Sequence, residues 1–166
     1  MMIEILIMMM FLAIVDDFYL QPIVLANLKQ KSFWRQHAPD KLYAADYLMA
    51  LLIHGFSWTV MMIAPLWYYD QLPFGWWFLS IIVVNMLFHA YIDHQKANRK
   101  RFSLWHDQMY HMIQIGLTWW AFTPGEMATA KTYWSVSILT MGLIVIGLEA
   151  VWWRKGRSNV AVVNAP

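Results

Sequence analysis

Residues 88–111 read FHAYIDHQKANRKRFSLWHDQMYH, and two histidine–carboxylate pairs stand in that stretch. His89 and Asp93 form an H-x-x-x-D pair, and Asp107 and His111 form its mirror, D-x-x-x-H, across a basic turn. Residues four apart share a helix face, so each pair aims an imidazole and a carboxylate in one direction. Imidazole with carboxylate suits a divalent transition metal such as Zn, Mn or Fe, and leaves the second nitrogen of each ring for an outer partner. These four residues are therefore candidate metal ligands. The chain has no cysteine, which excludes disulfides, thiolate metal sites and a cysteine nucleophile.

The elements that must position them read as membrane helices. Of 166 residues, 60% are hydrophobic, 13% are charged and 11 are Trp, whereas a water-soluble domain is about one quarter charged. Apolar stretches at 47–69, 74–94, 104–122 and 133–153 approach or exceed the roughly 20 residues that a spanning helix needs. Residues 1–20 make a fifth candidate, interrupted by Glu4, Asp16 and Asp17. That segment lacks a basic start and a small-residue cleavage site, so it reads as a retained helix ending near Pro22 rather than as a signal peptide.

Charge sets the orientation. Lys29, Lys31, Arg35 and Lys41 follow the first span, Lys96, Arg99, Lys100 and Arg101 the third, and Arg154, Lys155 and Arg157 the fifth. Eleven of the 12 basic residues thus share one side, with Lys131 alone opposite. The positive-inside rule then places the N-terminus outside and the C-terminus in the cytoplasm. The expected fold is all-α: a polytopic bundle of about five transmembrane helices in a single domain over 1–155, with a disordered cytoplasmic tail at 156–166. A net charge of +2 spread in this way anchors loops at the bilayer and argues against a nucleic-acid partner. Trp67, Tyr68, Tyr69, Trp76, Trp77, Trp119, Trp120, Trp152 and Trp153 read as interfacial belts. Pro73-Phe74-Gly75 and Pro124-Gly125 read as turns.

On this topology four helices bring ionisable groups to one depth: Asp17, His54, the His89/Asp93 pair and the Asp107/His111 pair. Asp16 and Asp17 face different sides of a regular helix, and Gln21, four residues beyond, selects Asp17. A carboxylate left in lipid costs about 2.5–3.5 kcal/mol at mid-helix, so the set turns inward and pairs. One pair alone is accounted for by an interhelical hydrogen bond of about 0.6–2 kcal/mol. Convergence of all of them points to a site in which Asp17 or His54 is the general base on a metal-bound water. His37 and His94 border basic loops and read as solvated, and Glu149 reads as interfacial.

The segments DDFYLQ, ANLKQKSFW, DYLMALLIHGFSW, FHAYIDHQKANRK and LWHDQMYH occur in an order and spacing that resemble a family of small bacterial and phage integral membrane proteins, catalogued as domain of unknown function 3307. The resemblance covers residues 14–114. The family pattern of D-F-x-L-Q, a lone histidine in the second helix, H-x-x-x-D and D-Q-x-x-H falls on Asp17, Phe18, Leu20, Gln21, His54, His89, Asp93, Asp107, Gln108 and His111. Many members resemble H-x-x-x-D-F at the first motif, where this chain has Ala13. The resemblance implies a multi-pass protein of the bacterial inner membrane and no established activity. A looser likeness, in architecture alone, is to membrane-bound metal-dependent hydrolases.

Three functions follow. The first is a metal-dependent hydrolase or transferase on a lipid or lipid-linked substrate at the cytoplasmic leaflet, with Lys96, Arg99, Lys100 and Arg101 drawing in an anionic head group. The second is a non-catalytic, phage-encoded factor that binds a host membrane protein. The third is a proton or ion conductor, disfavoured by an outer half poor in ionisable residues.

Overall fold

The computed structural model describes residues 2–69, 76–122 and 127–163. The helices are α1 (Met2–Val15), α2 (Ile23–Leu28), α3 (Lys31–His37), α4 (Asp46–Tyr68), α5 (Trp76–Ala97), α6 (Leu104–Phe122) and α7 (Met127–Val163), and no strand occurs among the described residues. A π-helical turn, Asp16–Leu20, continues α1, and a 3-10 turn, Lys41–Tyr43, precedes α4. Gln21 is extended, as the residue before Pro22 must be, and the helix stops there. The expected turns at Pro73–Gly75 and Pro124-Gly125 lie outside the described residues. The backbone of α7 is helical to Val163.

Three helical stretches among the described residues are long and apolar enough to cross a membrane: Lys41–Tyr68, Trp76–Ala97 and Thr129–Trp153. Five are expected, and the other two carry charged residues within their length. α1 is regular for 14 residues and runs on through the π turn to Leu20, with Glu4, Asp16 and Asp17 in that run. α6 has 19 residues but carries Asp107, His111, Gln114 and Thr118, all of which it buries. On α7, Trp134, Ser137 and Met141 face inward, while Leu139, Leu143 and Ile146 are about two-thirds exposed. An outward apolar face of that kind suits lipid better than water.

α4 is the hub, packed on α1 and α5, while α6 joins α5 to α7. The core runs from Ile5, Met9 and Ala13 through Trp58, Met62 and Leu66 to Ile81, Ile92, Ile115 and Trp134. The end of α1, the start of α4, the end of α5 and the start of α6 meet at one end of the bundle, the end that carries the basic connections. There the short α2–α3 segment folds back over the helix ends. Asn98 clamps it by donating to Lys29 O at 2.9 Å and accepting from Lys31 N at 2.6 Å. Trp34 Nε1 donates to Leu28 O at 2.7 Å and stiffens the same segment.

Glu149 of α7 is two-fifths exposed, at the surface as expected, yet it is heavily partnered. It accepts from Tyr91 Oη at 2.9 Å, Gln95 Nε2 at 3.0 Å and Arg99 Nη1 at 2.7 Å, and it pairs with Arg101 at 3.2 Å. These bonds tie α7 to α5 and to the α5–α6 turn, where Lys100 takes a left-handed φ of 53°.

Gly55 lets α4 and α5 approach: a Cβ there would lie 2.8 Å from the Met86 carbonyl oxygen. Close backbone approach at a small residue is how membrane helices gain packing energy. Gly55→Ala is expected to lower stability by about 1–3 kcal/mol through overpacking. Gly116→Ala, with nothing within 4 Å of the added carbon, should be near neutral. Unfolding of both variants in detergent checks the contrast.

Candidate functional site

Each element delivers its side chains four residues apart. α4 supplies His54 and Trp58, α5 supplies His89 and Asp93, and α6 supplies Asp107 and His111, all of them buried. The residues proposed from the sequence therefore come together at the basic end of the bundle.

Asp93 is the centre. Its Oδ2 lies 3.7 Å from His54 Nε2 and 3.8 Å from His89 Nε2, and its Oδ1 lies 3.6 Å from His111 Nε2. His111 Nε2 is also 3.6 Å from Asp107 Oδ1. The His89 and His111 rings stack with centroids 4.1 Å apart, and Trp58 covers His89 at 4.3 Å. Two triads, Asp17–His54–His89 and His89–Asp93–His111, each place one donor atom per residue within 4.8 Å of the others.

Asp17 reaches His54, and so does Asp16. His54 lies between them, with Nε2 3.2 Å from Asp17 Oδ1 and Nδ1 3.5 Å from Asp16 Oδ2. The two carboxylates need not share a helix face, because the imidazole offers a nitrogen on each edge. The wider i→i+5 winding of the π turn sets where they fall. Asp16 is buried and accepts from Ser57 Oγ at 2.6 Å, whereas Asp17 borders the open cavity described below.

Two lysines enter the site that loop composition assigns to the bilayer surface. Lys29 is 7% exposed, and its Nζ lies 2.6 Å from Asp93 Oδ2 and 3.1 Å from Gln21 Oε1. Lys96 Nζ lies 2.6 Å from Asp107 Oδ2. Nothing local to Lys29 in sequence foretells a partner 64 residues away. The Lys96–Asp107 pair was more accessible to sequence reasoning, since the hairpin that mirrors the two histidine pairs also brings those helix ends together. His94, expected to be solvated, is half-buried and stacks on Tyr47 at 5.9 Å.

Among the described residues, both ring nitrogens of His89 and of His111 are buried without a hydrogen-bond partner, as is Asp107 Oδ1. A buried polar atom left unpaired costs about 1–3 kcal/mol. The N···O separations of 3.6–3.8 Å are too long for hydrogen bonds. They lie within a few tenths of an ångström of the ligand–ligand edge of a tetrahedral site, about 3.3–3.4 Å for bonds of 2.0–2.1 Å. The His89–Asp93–His111 triad thus fits a divalent cation in chemistry and in spacing, while Asp107 lies beside His111 and outside both triads. A cavity of about 290 Å³ opens onto it, lined by Asp17, Gln21, Lys29, Asp93, Lys96, Lys100 and Asp107 among others.

The fold and site define an all-helical protein with three membrane-length apolar helices and a buried His/Asp cluster able to hold a metal ion. No family model, curated protein or solved structure matches the chain.

Breaking one side of a buried ion pair strands the other charge. Lys29→Met is expected to cost about 3–5 kcal/mol, and Asp93→Asn combined with it should recover part of that loss. A double-mutant cycle followed by unfolding in detergent measures the coupling. Strictly additive losses would show that the two side chains do not sustain each other.

Proposed function

We propose that this chain is a five-span protein of the bacterial inner membrane, N-terminus outside and C-terminus cytoplasmic. Its His/Asp centre serves a metal-dependent hydrolase or transferase acting on a lipid or lipid-linked substrate at the cytoplasmic leaflet. The reading is supported above all by the ring nitrogens of His89 and His111, buried without a hydrogen bond, with Nε2 of each 3.6–3.8 Å from an aspartate oxygen. These four residues would hold the ion. A divalent metal there would supply Lewis acidity and a water acidic enough to deprotonate near neutrality.

The other side chains have roles that follow from their positions. Asp17 borders the cavity, with its side chain 12% exposed, so it is the base within reach of a water there. His54 backs Asp17 at 3.2 Å and steadies its charge. Trp58, against His89, shields the inner side from water. Lys131 is the lone basic residue opposite the basic connections, which supports the orientation.

A second reading has its own support. Lys29 and Lys96 already neutralise Asp93 and Asp107 at 2.6 Å, so the cluster also suits a structural lock in a non-catalytic membrane factor. Substitutions would then impair folding alone.

Mass spectrometry of the detergent-purified protein is expected to find about one transition metal per chain, lost in His89→Ala. Asp17→Asn should keep the metal while losing turnover in a screen of lipid esters and phosphates. Metal that survives both His89→Ala and Asp93→Ala would remove these residues as ligands. For topology, a reporter fused after Pro166 should be active only as a cytoplasmic fusion, and periplasmic activity would overturn the five-span arrangement.

A further inference from the structure

Asp93 and Asp107 each divide their two oxygens. In both, Oδ1 lies 3.6 Å from His111 Nε2, and Oδ2 lies 2.6 Å from an ammonium, Lys29 for Asp93 and Lys96 for Asp107; Asp93 Oδ2 also faces His54 and His89 at 3.7 and 3.8 Å. Two carboxylates are therefore matched by two lysines at the boundary between the buried histidines and the cavity. Both lysines line that cavity, together with Lys100 and the amides of Gln21, Gln30 and Gln108.

A divalent cation on the histidine side would neutralise the same two carboxylates. The three lysines on the cavity wall, Lys29, Lys96 and Lys100, would then face a single uncommitted lining carboxylate, Asp17. Lys29, with its side chain 9% exposed, does not stay unmatched, because the low dielectric that strengthens an ion pair also magnifies the cost of a lone ion, whereas Lys96 is partly open to the cavity mouth. Asn98 fixes the Lys29 backbone by donating to its carbonyl oxygen, and Gln21 Oε1 accepts from the ammonium at 3.1 Å. The cheapest remedy is an anion in the cavity, beside Lys29, Lys96 and Lys100 and within range of amide donors.

We infer that the cavity is a phosphate-group subsite whose affinity is coupled to occupancy of the metal site, with Lys29 and Lys96 passing from carboxylate counter-ions to phosphate ligands. The phosphate group is the shared chemistry of a lipid head group and of free phosphate. A tetrahedral dianion replaces the two charges that the metal takes from the lysines, and ammonium groups with amides are its ordinary ligands. The inference rests on the metal reading above and adds the substrate class to it. Coupling between the two sites is reciprocal: each ligand tightens the other by the same factor.

The test titrates Mn2+ against the purified full chain, reading free Mn2+ by its paramagnetic resonance, with and without inorganic phosphate. Values are corrected for association of the two ions in protein-free buffer. A parallel arm uses nanodiscs of phosphatidylcholine with or without phosphatidic acid. At least about a fivefold tightening of Mn2+ is expected on adding the phosphate group. Tightening by inorganic phosphate identifies a subsite open to the free ion, and tightening by phosphatidic acid alone identifies a lipid site. Lys29→Gln and Lys96→Gln should each keep Mn2+ binding and lose the tightening; Lys96→Gln covers the case in which Lys29→Gln does not fold. Mn2+ that binds equally in both arms with and without the phosphate group overturns this inference and leaves the metal site standing, as does tightening that persists in both Gln variants. Failure of the wild-type chain to bind Mn2+ at all overturns the metal reading and this inference together.

Discussion

The rest of the molecule depends on the burial of one carboxylate. Asp93 is 5% exposed in a bundle whose outer surface is apolar, and four cationic or imidazole groups stand within 4 Å of it: Lys29, His54, His89 and His111. Each comes from a different part of the chain, so satisfying this one anion fixes the relation of α4, α5, α6 and the α2–α3 segment. The requirement explains features that look unrelated. The backbone after α1 turns back so that Lys29 can reach inward, and Asn98 pins it there from the far side of the site. Gly55, next to His54 in sequence, brings α4 close to α5, where His54 lies beside His89. Removing one partner from such a set costs several kcal/mol, because the survivor remains buried and charged.

Much of this was legible in the sequence wherever one helix carries the information. The i, i+4 spacing of His89 with Asp93 and of Asp107 with His111 is a property of a single helix, and α6 has the bounds that its apolar run predicts. The all-helical architecture follows from composition and from the near absence of breakers within the runs. What was not legible is what depends on long-range pairing. Lys29 looks like any basic loop residue until α5 lies beside it. Trp58 looks like one more aromatic ring until its place against His89 is known. Asp16 is set aside only on the assumption of regular α-helical winding, and the π turn at Asp16–Leu20 removes that assumption. The number of spans is hard to read for a related reason: α6 spends its polar residues on the interior, and hydropathy does not distinguish a polar residue facing a core from one facing lipid.

One turn outward from His89 and His111 the chemistry changes. Gln114 Nε2 donates to Asn85 Oδ1 at 2.9 Å and to Asn85 O at 2.8 Å, and Thr118 Oγ1 donates to the same Oδ1 at 3.0 Å. This layer is uncharged, fully buried and bonded mostly to itself. Beyond it lie Ile81, Met62, Leu66 and Phe122. Among the described residues, buried charge is thus confined to one end of the bundle, closed off by an amide layer and then by hydrocarbon. A relay for ions would need groups that exchange charge at the far end as well. A one-sided arrangement suits chemistry at one membrane face.

The choice between a structural lock and a working site turns on the histidines rather than the aspartates. Lys29 and Lys96 are sufficient counter-ions for Asp93 and Asp107 at 2.6 Å, and a lock would need nothing more. His89 and His111 add four buried ring nitrogens without hydrogen-bond partners, at about 1–3 kcal/mol for each group left unpaired. Apolar side chains of similar volume would fill the same space beneath Trp58 without that penalty, and replacing buried polar groups in this way is often neutral or stabilising. Stability alone therefore favours leucine or phenylalanine at both positions. A ligand that binds the folded chain and not the unfolded one would offset that cost in proportion to its affinity, which is the part the proposed metal plays.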